Sequence, residues 1–291
     1  TEIKKLNHES HYFYNLNISD QKIFKILKKN KISKIVNFAA ETHVDNSIKK
    51  PKFFFKNNCM KYIDFIFNIK KYYDTLSSND QKYFKFINIS TDEVYGSLKL
   101  NQKPFDEKSI LSPRNPYSAS KASAEMYLQS FSNTFGLPYI ITNCSNNYGK
   151  YQNDEKLIPT IFRKAIQNKK IPIYGNGKNI REWIHVDDHN SAILALLKKG
   201  KNYDKYNIGS KNELTNLEIV NKICLMLDKK IPKKNSFKKQ IKFVKDRLGH
   251  DFRYSINSKK IKKEIGWKSK IDIDLGLESI SDYYIKKYQS K

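Results

Sequence analysis

Two textures of apolar residues alternate along the first half of the chain. Short aromatic and β-branched runs at 32–40 (Ile-Ser-Lys-Ile-Val-Asn-Phe-Ala-Ala), 83–89 (Tyr-Phe-Lys-Phe-Ile-Asn-Ile) and 139–144 (Tyr-Ile-Ile-Thr-Asn-Cys) have the length and composition of buried strands. A run at 11–18 (His-Tyr-Phe-Tyr-Asn-Leu-Asn-Ile) alternates enough to predict another. Longer segments with helical spacing lie between them. Ser19-Asp20 caps a helix with Ile23, Phe24, Ile26 and Leu27 inward. Pro51 opens a helix running to about Tyr73. Its Phe53, Phe54, Phe55, Tyr62, Phe65, Ile66 and Ile69 spread around much of the circumference, so it is expected to be buried on more than one side. Pro104, Ser112, Pro113 and Pro116 mark a loop before a helix that Gly136-Leu137-Pro138 stops. Strands and helices alternating in this way predict an α/β fold with a doubly wound parallel sheet.

The texture changes after Glu155. A helix at about 159–167 leads to Ile171-Pro172-Ile173-Tyr174-Gly175-Asn176-Gly177, and the remainder mixes short strands with Lys-rich helices. We expect a sheet domain over 1–157 and a smaller α/β domain over 158–291. Elements such as Tyr206-Asn207-Ile208-Gly209 are expected to return to the first.

A chain of 291 residues is long enough to bury a large core in one or two domains. The net charge of +26 suggests nucleic acid at first sight, but the cations are nearly all Lys spread over every segment. Arg occurs only at 114, 163, 181, 247 and 253, without the cluster that bidentate reading of phosphates and bases needs. A specific nucleic-acid function is therefore set aside; a salt-sensitive attraction to polyanions rests on charge alone. Cys59, Cys144 and Cys224 are few and far apart, match no zinc spacing and suit a reducing cytoplasm. No apolar run reaches the ~18 residues of a membrane span, and no signal peptide opens the chain. It begins at Thr1 instead of Met, which reads as the mark of a fragment.

The candidate chemistry sits after the strand at 83–89. Ser90-Thr91-Asp92-Glu93-Val94-Tyr95-Gly96 places two carboxyls where a parallel strand ends, and open α/β sheets bind ligands there. Tyr117 and Lys121 lie one helical turn apart on one face, and an ammonium beside a phenol favours the phenolate, a usable base. Tyr-x-x-x-Lys recurs at Tyr283 and Lys287, where a solvated charged face is the better reading. Gly175-x-Gly177 has Ile at 180 and is a turn near a ligand, not a dinucleotide fingerprint. His185-Val186-Asp187-Asp188-His189 is set aside as a metal site. It stands at a strand-to-helix junction where Asp187 or Asp188 can cap the helix, and nothing else supplies a spaced ligand set.

These residues resemble an extended short-chain dehydrogenase/reductase, and specifically the dTDP-glucose 4,6-dehydratases, along nearly the whole chain. Ala39-Ala40-Glu41-Thr42-His43-Val44-Asp45 resembles the strand end beside the nicotinamide ribose. Ser90 to Gly96 and Tyr117-x-x-x-Lys121 match the catalytic pair and the Tyr-Lys motif. Asn143–Gly149, Glu155–Pro159, Pro172–Gly177, Ile180–Trp183, Tyr206–Gly209 and Asp246–Asp251 resemble the nucleotide-sugar loops. Related epimerases share the fold and the tyrosine but lack the Asp-Glu pair. The resemblance implies NAD as cofactor and dTDP-glucose as substrate. It also implies a homodimer through the helices at 51–73 and 117–135. The implied cofactor site comprises Asn17, Ile18, Phe38, Ala39, Ala40, Thr42, Asn57, Ser90, Tyr117, Lys121 and Asn147. The implied substrate site comprises Thr42, Thr91, Asn146, Lys156, Leu157, Pro172, Tyr174, Arg181, Asn207, Arg247 and His250. In this scheme Tyr117, held ionised by Lys121, takes the C4-hydroxyl proton. Glu93 removes the C5 proton, Asp92 protonates the departing C6 hydroxyl, Thr91 bonds the C4 oxygen, and Arg181 and Arg247 meet the diphosphate.

Three departures stand out. Leu248 replaces a usual proline and Phe252 a common arginine, changes expected to loosen the nucleotide pocket. The family's opening strand, Gly-x-x-Gly-x-x-Gly and helix have no counterpart here, so the Rossmann-like sheet is expected to be N-terminally incomplete. Competing expectations are a 4-epimerase, a UDP- or GDP-sugar dehydratase, and an inactive remnant that only binds nucleotide-sugar.

Overall fold

The structure, a computed structural model, describes residues 11–289. Its strands in chain order are β1 (Lys34–Asn37), β2 (Lys85–Thr91), β3 (Ile140–Cys144), β4 (Asn146–Tyr148), β5 (Ile171–Tyr174), β6 (Ile180–His185), β7 (Asp204–Ile208), β8 (Glu213–Thr215) and β9 (Ile241–Val244). The main sheet has the order β1-β2-β3-β7, every pair parallel. β2 is buried along nearly its whole length because helices cover both faces. Alternate residues serve the two layers. Phe86, with Ile35 and Ile141, packs against the helices carrying Leu27, Ile66 and Leu128; Ile87 and Ile89, with Ile140, pack against those carrying Ala192, Leu196 and Ile261. The sheet is therefore doubly wound, as its apolar runs predict.

β7 enters this sheet beside β3, and the helix Val186–Lys199 covers one of its faces, so the second half of the chain completes the first. The remaining elements make a second core. β4, β6 and β8 form one small sheet and β5 and β9 another. The helices Leu157–Ile166, Asn216–Lys230 and Ile273–Gln289 close over Phe162, Ile171, Trp183, Ile223 and Leu277. The Asn216–Lys230 helix starts in a capping box between Thr215 and Glu218.

Four expectations need correction. Residues 11–17 run as irregular chain instead of a strand: Tyr12, Phe13 and Tyr14 stay exposed, so no buried face holds the alternation in register. The predicted helix from Pro51 to Tyr73 contains a π-helical turn, Lys56–Met60, between Pro51–Phe55 and Lys61–Tyr73. The helix after β6 is capped by His185, whose Nδ1 accepts the Asp187 N–H at 3.3 Å; Asp188 instead accepts the Lys270 and Ile271 N–H groups, each at 2.9 Å. Lys287 is no solvated charge. It pairs with Asp154 at 2.6 Å and ties the last helix to the loop before Leu157.

Among the described residues no helix is long and apolar enough to cross a membrane, and the three cysteines are unpaired.

Candidate active site

β2 ends at Thr91 and turns into a single 3₁₀ turn, Asp92–Tyr95. Thr91 caps that turn: its Oγ1 accepts the Glu93 N–H at 3.3 Å and donates to Asp92 Oδ1 at 3.2 Å. Gly96 closes it at φ 88°, where a Cβ would lie 2.4 Å from the Ser112 carbonyl oxygen. A second cap starts the next element. Asn115 and Ser118 form a reciprocal capping box, Pro116 takes the first position, and the helix Pro116–Phe135 runs until Gly136 in the left-handed region. That start sets the phase of the helix, so Tyr117 and Lys121 come to face the end of β2. The Tyr117 N–H donates to Ser47 Oγ at 3.1 Å, and Lys121 Nζ donates to the Ile89 carbonyl at 2.7 Å.

Two cavities meet at this point. An inner one of about 360 Å³ is lined by Phe38, Ala40, Ser90, Thr91, Asp92, Tyr117, Lys121, Cys144, Asn147 and His189 among others. An outer cleft of about 440 Å³ is lined by Asp45, Glu155, Leu157, Pro172, Tyr174, Arg181, Trp183, Asn216, Arg247, His250 and Tyr254 among others. Thr42, Glu93, Asn146 and Lys156 line both. Glu93 stands at the junction, with its Oε2 accepting from Asn115 Nδ2 at 3.3 Å and 3.4 Å from the Tyr254 hydroxyl.

The electrostatics differ across the junction. Burial, with Glu93 next in effect, pushes the Asp92 carboxyl well above the usual carboxylate range and favours its protonated form. Burial and then Glu93 likewise raise the Tyr117 phenol well above its usual value, while burial lowers Lys121. The expectation that Lys121 holds Tyr117 ionised is not met in this arrangement. The ammonium is turned to the Ile89 carbonyl, and desolvation of the phenol dominates. Around the inner cavity, Ser90 Oγ, Ser145 Oγ and Asn147 Oδ1 are buried without a hydrogen-bond partner, the condition of a lining built to meet a ligand's polar groups.

The cleft is bridged by polar contacts between its two walls. Lys156 Nζ donates to the Thr42 carbonyl at 2.7 Å, the Tyr174 hydroxyl to Asp45 Oδ2 at 2.9 Å, and Arg247 lies 3.8 Å from Asp45. His250 Nδ1 is 2.6 Å from Asp246, and burial pulls its pKa down to about 4. Arg181 stacks 4.3 Å from the Tyr254 ring centroid and donates to the Asp251 carbonyl at 3.0 Å.

Most of the expected residues line one cavity or the other; the exceptions have physical reasons. Ile18 packs against the sheet core and Asn17 folds back on Ser19, so neither reaches the inner cavity. Ala39 donates its N–H to Asn37 between the lining residues Phe38 and Ala40. Asn57 lies in the π-turn and does not line the inner cavity. Its neighbour Asn58 is buried instead, exchanging hydrogen bonds with the Glu41 backbone and donating to Ser120 on the Tyr117 helix. Single π-turns inside α-helices are frequent at functional sites, and this one ties a site loop to the helix bearing Tyr117. Asn207 is fully buried under Tyr95 and Glu107, away from the cleft, where Asn216 stands in its place. Leu248 and Phe252 do not line the cleft. Leu248 is exposed, and the Phe252 backbone bonds Ser97 and Ile180. The lining residues missed include Asp45, Ser145, Glu155, Trp183, Asn216 and Tyr254, from separate segments. Of these, Asp45, Ser145, Glu155 and Trp183 had a signal, since they stand inside quoted motifs.

Beneath the lining, Asn143 Nδ2 donates to the Thr91 carbonyl at 3.0 Å and to Glu125 at 2.7 Å, and Lys205 pairs with Glu125 at 2.8 Å. This buried chain fixes the end of β2 from the neighbouring strands.

The arrangement has close relatives. The family model described as GDP-mannose 4,6 dehydratase matches residues 1–280. A dTDP-glucose 4,6-dehydratase of Haemophilus influenzae is 41% identical over 284 residues, 96% of this chain and 84% of that protein. A probable dTDP-glucose 4,6-dehydratase of Sinorhizobium fredii is 42% identical over 252 residues, 87% of this chain and 72% of that one. Among solved structures, the dTDP-glucose 4,6-dehydratase of Streptomyces venezuelae with NAD bound superposes with a TM-score of 0.87 at 33% identity, covering 97% of this chain and 82% of the other. That of Bacillus anthracis in complex with NAD gives 0.83 at 39% identity with the same coverage. With carboxyls, tyrosine and lysine gathered at the end of β2 as its motifs require, the chain belongs to the dTDP-glucose 4,6-dehydratases, nucleotide-sugar hydro-lyases built on a Rossmann-like parallel sheet.

Proposed function

We propose that this chain removes water from dTDP-glucose in an NAD-dependent reaction that yields the 4-keto-6-deoxy sugar. One observation carries the reading: two adjacent carboxyls at the end of β2 occupy unlike environments, Asp92 buried and favoured as the acid, Glu93 at the junction of the cavities. An elimination needs one proton donor and one acceptor, and environments that separate two carboxyls supply both.

The inner cavity, with its unmet polar atoms on Ser90, Ser145 and Asn147, suits the polar nicotinamide end of a dinucleotide. NAD, when bound there, supplies the oxidant for C4 and the hydride returned to C6. Tyr117 is the base for the C4-hydroxyl proton, and the Lys121 ammonium one turn on lowers the cost of the phenolate. The ammonium holds one N–H on the Ile89 carbonyl at 2.7 Å and keeps two donors for Tyr117 and a ligand. Thr91 orients the C4 oxygen. Glu93 takes the C5 proton and Asp92 protonates the departing C6 oxygen. In the outer cleft Arg247, Arg181 and Lys156 offer cations to the diphosphate, where guanidinium geometry suits paired oxygens. The exposed Met60, Phe67, Met126, Tyr127 and Phe135 on the two long helices support a homodimer contact.

Mass spectrometry of dTDP-glucose incubated with the chain and NAD tests the reaction; loss of one water supports it, and unaltered substrate refutes it. UDP- and GDP-sugars in the same assay test the choice of base. Sedimentation tests the dimer.

A further inference from the structure

Resting on Glu93 as the C5 base, we propose that Asn115 is a positioning residue that holds Glu93 to the start of the helix bearing Tyr117. The two bases of the proposed reaction act on C4 and C5, bonded neighbours in the sugar, so their separation has to be kept. They come from different elements, Glu93 from the turn Asp92–Tyr95 and Tyr117 from the helix Pro116–Phe135. Asn115 touches both. Its Oδ1 accepts the Ser118 N–H at 2.9 Å, and its Nδ2 donates to Glu93 Oε2 at 3.3 Å.

The orientation of this amide is forced. The Ser118 N–H can only donate and the Glu93 carboxylate can only accept, so turning the amide over would set donor on donor and acceptor on acceptor. The residue type matters for the same reason. Asn, Asp and Ser cap a helix about equally well, but Asp has no donor to spare. A Ser hydroxyl that makes the cap stays in the place of Oδ1, short of the position that Nδ2 fills. The backbone already brings the two elements together. The Ser112 N–H donates to the Val94 carbonyl at 2.9 Å, and a Cβ on Gly96 would stand 2.4 Å from the Ser112 carbonyl oxygen. Those contacts fix the turn but leave the Glu93 side chain its own torsions. Its other polar neighbour at Oε2 does not restrain it. The Tyr254 hydroxyl is 3.4 Å from that oxygen but 2.5 Å from Asp251 Oδ2, and its single proton goes to the nearer acceptor. Among the described residues Asn115 is then the donor left to hold the Glu93 carboxylate, and it is buried, where water competes little for the bond.

The experiment compares wild type, Asn115→Ser and Asn115→Asp as full chains with NAD, on nucleotide-sugar carrying hydrogen or deuterium at C5. Both replacements cap well, so circular dichroism should show folded protein. Asn115→Ser is expected to lower kcat by about tenfold or more with KM nearly unchanged, as misplacing a catalytic group does. The isotope effect at C5 should grow, because the slowed step is the one Glu93 performs. Asn115→Asp sets a carboxylate beside Glu93, which disfavours ionisation of the pair and moves the acid limb of kcat/KM to higher pH. Asp92, Tyr117, Tyr254, Lys156 and Arg181 also act on Glu93 and are the same in every variant, so the movement reads position 115. A folded Asn115→Ser with wild-type kcat and C5 isotope effect overturns the proposal, as does a loss carried by KM alone. An unmoved acid limb in folded Asn115→Asp overturns it too, so either variant decides if the other does not fold. A wild type that removes water from no nucleotide-sugar refutes the dehydratase reading and this role with it, whereas an active wild type beside unaffected variants refutes the role alone.

Discussion

The inner cavity and the outer cleft share four lining residues yet are built on opposite terms. Inside, the titratable groups Asp92, Tyr117 and Lys121 are buried, and burial is the first cause pushing each toward its neutral form. Outside, the groups are held by partners: Arg247 faces Asp45, Tyr174 bonds Asp45, and His250 sits on Asp246. On the inner side burial favours the protonated forms of Asp92 and Tyr117 at rest, so both hold protons that a reaction can move. The outer side meets a standing charge, for which guanidinium groups that never deprotonate are the suitable lining. Glu93, on the boundary, belongs to both.

The comparison breaks most visibly at that boundary. Glu93→Gln is expected to keep the fold and the binding of nucleotide-sugar while lowering product formation by about 10²–10⁴-fold. Solvent deuterium should no longer enter C5 of bound sugar. Unchanged C5 exchange in this variant would remove Glu93 as the base. Next in size, Arg247→Ala should weaken nucleotide-sugar binding by roughly 10- to 100-fold, the worth of one charge-assisted hydrogen bond. KM should rise far more than kcat falls; the reverse pattern, from steady-state kinetics, would place Arg247 on the inner side of the divide.

Asp92→Asn sharpens the inner half. The folded-state pKa of Asp92 lies above its unfolded value of about 3.8, so above that pH the folded state binds the extra proton. Wild-type stability is therefore lost as pH rises from there through the folded pKa. Asn does not titrate, so the variant should match wild type in acid and gain on it with rising pH. Thermal unfolding across pH reads this directly, and a constant difference would mean that Asp92 is not held neutral. The smallest effect belongs to Asp45→Asn, whose long, part-exposed pair with Arg247 is worth about 1 kcal/mol or less. A shift in denaturant midpoint well beyond that would show the cleft wall depending on this pair.

Legibility followed the same divide. On the inner side the readable parts were short local patterns. The strand run, Thr91-Asp92-Glu93 and Tyr117-x-x-x-Lys121 each take their geometry from a strand end or the helical period, whereas the Asn115 cap that phases the helix was not read. The outer side was readable only where a motif was quoted whole. Asn216 and Tyr254 reach the cleft because a helix start and a late loop are brought there by the second core, and no local pattern records that. Asn207 misled for the same reason: a polar residue in the right motif was used to satisfy Tyr95 and the Phe105 carbonyl. The alternation at 11–18 misled because period two makes a strand only where one face is covered.

By itself the sequence determined the alternation of strands and helices in the first half of the chain and the doubly wound parallel sheet. These follow from apolar periodicity, capping residues and turn chemistry acting within a few residues of chain. That the carboxyls, tyrosine and lysine stand together at the end of β2 was implied by the resemblance to a family. Only the tertiary structure decided that burial favours Asp92 in its protonated form, that Lys121 rests on the Ile89 carbonyl, and that the Tyr254 hydroxyl stands between Glu93 and Asp251. Desolvation and long-range hydrogen bonds set those properties, and both depend on what distant segments bring within a few ångströms.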